Sequence, residues 1–273
     1  MSEGRPVPLQ QPAAKPPVSL RLEGDILFVT LARPEKRNAL NSEAISALER
    51  IFAAPPAGAK VAVLSGEGDH FSAGLDLSDL SDGGEDDVMA GIAHSMMWHH
   101  AFQYIERGRL PVVSALKGAV VGGGLELAAA THVRVAEDNA FYALPEGQRG
   151  IFVGGGGSVR IPRLIGTARM ADMMLTGRTY DAAGGMAAGL SQYVVPAGEG
   201  LKKATELARA IAGNAPMTNF AVVQALPRIA EADAPAGFLM EALMSAIAQN
   251  DSEAKARMRA FLDKKAAKVR APG

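Results

Sequence analysis

From residue 18 to about 195, short β-branched runs alternate with helical periods, and this recurrence narrows the choice of fold more than any other feature of the chain. Residues 18–22 and 26–31 are runs of the kind strands use, and Glu23-Gly24-Asp25 between them is a hairpin signal. Apolar positions recur at helical spacing over residues 43–52, with Asn41 or Ser42 as N-cap. Residues 60–65 read as a buried strand, 88–107 as a long helix, 112–116 as a strand, 123–130 as a helix, and 132–136 and 140–143 as short strands. Repeated units of strand, strand and helix predict an α/β fold built by stacking successive turns.

After residue 195 the pattern is helical: 201–212, 218–230, 237–249 and 252–267 are amphipathic, with Pro216, Pro227 and Pro235 marking breaks. Pro6, Pro8, Pro12, Pro16 and Pro17 block regular hydrogen bonding at the start. We therefore divide the chain into a Pro-rich flexible arm (1–17), an α/β core (18–195) and a C-terminal helical region (196–273). Phe238, Leu239, Met240, Leu243, Met244 and Ile247 form an apolar stripe that packs either on the core or on another subunit.

With 273 residues, 48% hydrophobic and 21% charged, the chain buries a sizeable core as one large domain or one domain with an appendage. A net charge of -1 without a long Lys/Arg run argues against nucleic-acid or membrane-surface partners, although acidic small substrates need only local charge. No apolar run reaches the roughly 18 residues of a membrane span. The chain has no Cys, which excludes a disulfide framework, a thiolate nucleophile and a Cys-metal site, and fits a reducing, cytoplasmic setting.

The chemistry concentrates on two glutamates in small-residue surroundings, Glu126 in Gly122-Gly123-Gly124-Leu125-Glu126 and Glu146 in Ala143-Leu144-Pro145-Glu146-Gly147. A carboxylate among apolar neighbours is costly unless it has a partner or a task, because desolvation disfavours its charged form. Two of them suggest an acid/base pair, and the glycines before Glu126 read as a helix start able to turn bare N–H groups toward developing negative charge. His94, Trp98, His99 and His100 lie on the predicted 88–107 helix. Their spacing, without confirming carboxylates, reads better as a pocket wall or helix face than as a metal site.

Three segments, in order, carry a resemblance: residues 31–41 (LARPEKRNALN), residues 66–77 (GEGDHFSAGLDL) and the glycine-rich Glu126 segment. Residues 151–157 (IFVGGGG) and 162–166 (PRLIG) extend it. Together they resemble the crotonase superfamily, most closely its enoyl-CoA hydratase/isomerase members, over nearly the whole chain. The resemblance implies a spiral of ββα turns with a C-terminal helical trimerisation region, assembled as a homotrimer or a dimer of trimers. It implies an acyl-CoA thioester substrate, with coenzyme A as part of that substrate and no separate cofactor or metal. The thioester carbonyl would lie between the backbone N–H groups of Leu75 and Gly123, flanked by Ala73, Gly74, Asp76, Leu77, Gly122 and Pro145. Lys36 and Arg37 would meet the nucleotide end of CoA, Ala39 and Leu40 its adenine and pantetheine, and Phe261 and Lys264 the CoA of the same or a neighbouring subunit. Glu126 would hold and deprotonate water while Glu146 delivers a proton to Cα, making the enzyme an enoyl-CoA hydratase. A double-bond isomerase or a hydratase-lyase would share the same frame. The chain departs from the family pattern at His132, where Asp is usual, and at Gly184 and Gly185, which interrupt a normally helical segment at a cost of about 1 kcal/mol each.

Overall fold

The computed structural model describes residues 15–81 and 87–263. Strands β1 (Val18–Glu23) and β2 (Ile26–Leu31) form the expected hairpin, Glu23 pairing with Ile26 across Gly24 and Asp25. β3 (Val61–Gly66), β4 (Val112–Leu116), β6 (Val133–Glu137) and β9 (Tyr193–Val195) extend it in parallel, giving a six-stranded sheet of order β1-β2-β3-β4-β6-β9. A second sheet, β5 (Ala119–Val121), β7 (Phe141–Ala143) and β8 (Tyr180–Asp181), lies beside it. The chain visits the large sheet at β4, the small one at β5, then helix α4 (Gly123–Ala129), and repeats the sequence through β6 and β7. This is the predicted stack of turns.

The central strands β2, β3, β4 and β6 are buried on both faces, which explains why most of them read as continuous apolar runs and not as alternating ones, while β1 is largely exposed. On one face Leu27, Val29, Leu31, Leu64 and Leu116 share a core with Ile45, Leu48 and Phe52 of α1 (Ser42–Ala53) and Phe102 and Ile105 of α3 (Val88–Glu106). Residues of the opposite parity, Ile26, Phe28, Val61, Val63, Val113 and Val135, pack under Ala204, Ala208 and Ala212 of α8 (Gly200–Ala212). Each buried aliphatic side chain there is worth about 1.5 to 3 kcal/mol of transfer free energy. Asn41 caps α1 by accepting the Ala44 N–H, and Asp87 caps α3 by accepting from Met89 and Ala90. Asp79 of the short α2 (Ser78–Ser81) accepts the Ser42 N–H and hydroxyl at 2.6 Å, which ties the start of α1 to the loop after residue 77.

Two expectations need correction. Gly184 and Gly185 do not interrupt the helix: α7 (Ala182–Ala188) forms around them, capped by Asp181. A Cβ on Gly185 would lie 2.2 Å from the Tyr142 ring, so the helix trades local propensity for close packing. Pro227 does not end its helix either. α9 (Pro216–Phe220) runs through a π turn (Ala221–Ala225) into α10 (Leu226–Glu231), with Pro227 in the first turn after the bulge, where its missing N–H costs least. Gln224 in that π turn donates to the Arg107 and Gly108 carbonyls beyond the end of α3. His132 accepts the Val112 N–H at Nδ1 (2.9 Å), and its Nε2 lies 3.1 Å from the Glu106 carbonyl. Burial lowers its pKa, so the network assigns a neutral ring protonated at Nε2. An Asp there could accept from Val112 but could not donate to Glu106.

α11 (Ala234–Asn250) and α12 (Ser252–Leu262) complete the helical region. Among the described residues nothing covers the apolar stripe: Phe238 is 71% exposed, and Leu239, Leu243 and Ile247 are exposed with it, while Met240 and Met244 are half-buried. Among the described residues no helix is long and apolar enough to cross a membrane.

Candidate active site

Segments that lie far apart in sequence meet around one cavity of about 220 Å³. One wall is the stretch from Ala73 to Leu75 with Leu77, a second is the start of α4, a third is Glu146 with the 151–155 segment, and α3 closes the fourth with His94, Ser95 and Trp98.

The stretch from Ala73 to Asp76 is held as a short strand against the residues before α1. Ala73 N donates to Arg37 O, Leu40 N to Gly74 O and Asp76 N to Leu40 O, at 2.7 to 2.9 Å. Asn38 supports this loop from inside, in a left-handed conformation that Asn tolerates (φ 54°). Its side chain donates to the Glu67 and His70 carbonyls and accepts the Arg33 N–H, and its own carbonyl accepts the Ser72 hydroxyl. Asp76 faces Arg33 (2.8 Å) and Ser78 (2.7 Å) and not the cavity, and these contacts, Ser78 foremost, hold its carboxyl below the usual range. Lys36 and Arg37 are exposed in the same loop without a carboxylate partner among the described residues.

Gly122 enters α4 at φ 51°, a conformation that disfavours any side chain, and a Cβ there would lie 2.6 Å from Glu146 Oε1. On Gly123 a Cβ would lie 2.7 Å from the Trp98 ring and 3.3 Å from the Leu75 nitrogen. The Leu75 and Gly123 nitrogens thus face the same small space, and among the described residues neither N–H donates to a protein acceptor.

Glu126 and Glu146 are 3% and 6% exposed. Glu126 Oε1 accepts two backbone N–H groups, from Gly155 and Gly157, each at 2.8 Å. A Cβ on Gly157 would lie 2.6 Å from Glu126 Cγ and one on Gly155 3.0 Å from the Trp98 ring, so bare backbone at both lets the segment close on Glu126. Burial pushes the Glu126 pKa up to about 7, against the two N–H bonds that pull it down, and the nearby Glu146 charge adds to the rise. Burial also raises Glu146, whose Oε2 is buried with no hydrogen-bond partner among the described residues. Arg160 on α5 (Gly157–Ile165) pairs with Glu106 (2.8 Å), donates to the Gly155 carbonyl (3.1 Å) and opposes the rise at Glu126.

Of the sequence-derived site residues, Ala73, Gly74, Leu75, Leu77, Gly122, Gly123, Glu126 and Glu146 line this cavity. Ala39 and Leu40 stand behind it through their hydrogen bonds, Ala39 O accepting from Arg33 at 2.6 Å. Pro145 opens the 3-10 turn (Pro145–Arg149) that carries Glu146. Phe261 is exposed on α12 and does not line the cavity, and Lys264 lies outside the described residues. Sequence reasoning missed Gly155, Gly157, Asn38 and Arg160 as supports of the site. The glycine run was a visible signal for the first two, since bare backbone suits a buried carboxylate.

A family model described as enoyl-CoA hydratase/isomerase matches residues 21–271. The short-chain-enoyl-CoA hydratase of Clostridium acetobutylicum is 30% identical over 251 residues, 91% of this chain and 95% of that protein. A crystal structure from Rhodopseudomonas palustris CGA009 is 57% identical with a TM-score of 0.88, covering 93% of this chain and 98% of that one. An enoyl-CoA hydratase structure from Bacillus anthracis is 28% identical with a TM-score of 0.84, covering 91% and 97%. With this fold, this cavity and these likenesses, the chain belongs to the enoyl-CoA hydratase/isomerase family of the crotonase superfamily, enzymes that act on acyl-CoA thioesters.

Proposed function

We propose that the protein hydrates a 2-enoyl-CoA to a 3-hydroxyacyl-CoA. The observation that carries this reading is the pairing of two buried carboxylates, Glu126 and Glu146, with the two unpartnered N–H groups of Leu75 and Gly123 across one cavity. The thioester carbonyl accepts from both N–H groups. As water attacks Cβ, negative charge moves onto that oxygen, where each donor stabilises it by about 3 to 4 kcal/mol. Glu126 takes a proton from the water, the water oxygen bonds to Cβ, and Glu146 gives a proton to Cα. One proton is thus received and one given by the pair, and its return from Glu126 to Glu146 closes the cycle. With both groups raised by burial, the pair titrates jointly, and one carboxylate beside one carboxylic acid is the state suited to neutral pH.

Lys36 and Arg37 are the cations we assign to the CoA phosphates, as exposed donors on the loop hydrogen-bonded to the stretch from Ala73 to Asp76. The exposed stripe on α11 is the face we assign to subunit contact in a trimer or dimer of trimers.

Product identification tests the reaction. Incubation with a 2-enoyl-CoA should abolish the conjugated absorbance and yield a product heavier by one water. A 3-enoyl-CoA converted to the 2-enoyl isomer without water gain would instead make the enzyme an isomerase. Recovery of shortened acyl fragments would make it a hydratase-lyase.

A further inference from the structure

The hydration step leaves two polar side chains of the cavity, Ser95 and His94, without a task, while Arg149, exposed at its rim, acts on Glu146 through its charge alone. Ser95 is half-buried on α3, its Oγ 3.0 Å from where a Cβ of Gly154 would stand, and among the described residues it has no hydrogen-bond partner. A serine inside a helix either bonds back to the preceding turn or points away from it, and Ser95 does not bond back, so this hydroxyl is left for the cavity. His94, beside it, accepts the Trp98 indole N–H at Nε2 (3.3 Å). That bond places the proton of the neutral ring on Nδ1, a second donor without an acceptor among the described residues. The same indole bond sets Nε2 against Asp79 at 3.9 Å only as a near neighbour. Arg149 lines the cavity from the Glu146 turn, with no carboxylate bonded to it among the described residues. The other walls near these three are apolar, from Leu75, Leu77, Trp98, Ile151, Phe152 and Val153.

A purely aliphatic acyl chain would cover the half-buried Ser95 and His94 donors unpaired, and each covered donor left without an acceptor is a penalty on binding. We infer that the enzyme takes an acyl group bearing an oxygen acceptor beyond Cβ, a hydroxyl or a carboxylate, read by Ser95 and His94 with Arg149 beside them. The inference rests on the thioester reading above and narrows it. Sites that hydrogen-bond a substrate oxygen discriminate strongly against the analogue lacking it, whereas an apolar slot discriminates little.

Saturated acyl-CoAs of equal chain length, ending in methyl, hydroxyl or carboxylate, test this by titration calorimetry, because they bind without reacting. At least one oxygen-ended ligand should bind about tenfold or more tighter than the methyl-ended one. Ser95→Ala with His94→Phe should shrink that ratio by about tenfold, and Ser95→Ala alone, a smaller change, should shrink it in the same direction. If Arg149→Met weakens only the carboxylate arm, the acceptor is an acid; if the hydroxyl arm binds tightest and is indifferent to Arg149→Met, it is neutral. Methyl-ended ligand binding as tightly as both oxygen-ended ones, or a ratio unmoved in the Ser95 and His94 variants, overturns the inference. Absence of hydration with every enoyl-CoA would instead overturn the function above and leave this binding order standing.

Discussion

Replacing Glu126 by Gln removes a buried titration while leaving an oxygen for the Gly155 and Gly157 N–H groups. In the native protein burial raises this carboxyl from 4.5 to about 7, so between those pH values the folded chain binds more protons than the unfolded one. Stability contributed by the protonated side chain is therefore full below pH about 4.5 and is lost as pH rises through about 7. The loss amounts to about 3 kcal/mol for a rise of this size. Gln has no such titration. The Glu126→Gln variant should match the parent protein at low pH and exceed it by about 3 kcal/mol at pH about 8, while kcat falls by about 10²- to 10⁴-fold. Urea unfolding at fixed protein concentration across this range, followed by the fluorescence of the single tryptophan, Trp98, measures the difference. A stability difference that stays flat with pH, or shrinks as pH rises, would refute the raised pKa and with it the claim that this carboxylate is held at an energetic cost for catalysis.

Gly123→Ala places a methyl against Trp98 and the Leu75 nitrogen, so kcat should fall by about 10²- to 10³-fold while thermal unfolding registers an overpacking cost of about 1 to 3 kcal/mol. Wild-type turnover with the lower stability would show that the carbonyl binds elsewhere. Arg160→Met removes a positive charge that opposes the rise at Glu126, and the acid limb of the kcat/KM profile should move to higher pH, with Arg160→Lys moving it less. A slower enzyme with an unmoved limb would make Arg160 a purely structural support. Phe238→Asp with Leu243→Asp should turn the proposed assembly into a folded monomer by light scattering, because neither side chain is covered among the described residues; an unchanged mass would remove the α11 face from the proposed interface.

The elements that periodicity defines best were the ones legible beforehand. The β1–β2 hairpin, α1 with its Asn41 cap and the buried β3 follow from local patterns, and the structure places them within a residue or two of their expected ends. The three-residue strands β5 and β9 and the two-residue β8 carry too little pattern to announce themselves, and exist because neighbouring turns of the spiral supply their partners. At the site, Glu126, Glu146, Leu75 and Gly123 were readable from motif and order. Arg160 was not, because its charge reaches Glu126 only once the fold brings α5 beside it and bonds to Glu106 and the Gly155 carbonyl hold it there, contacts that no local spacing encodes. Asn38 looked like one more loop residue, and only its three-way hydrogen bonding shows that it fixes the loop against Glu67 and His70, just before the Ala73 to Asp76 stretch.

On its deep side the cavity is gripped almost wholly by main chain: the nitrogens of Leu75 and Gly123 face it, and those of Gly155 and Gly157 hold its base. Backbone donors do not change with the side chain, but three of these four belong to glycines where a Cβ would collide with Trp98 or Glu126. The grip proposed for the thioester is therefore insulated from drift at Leu75 and in the surrounding side chains, though not at the glycines, while the proposed reaction depends on two carboxylates and the proposed acyl preference on a few side chains of the cavity wall. A lineage carrying this scaffold can explore new chemistry by exchanging a few residues without first losing its hold on the activated acyl group.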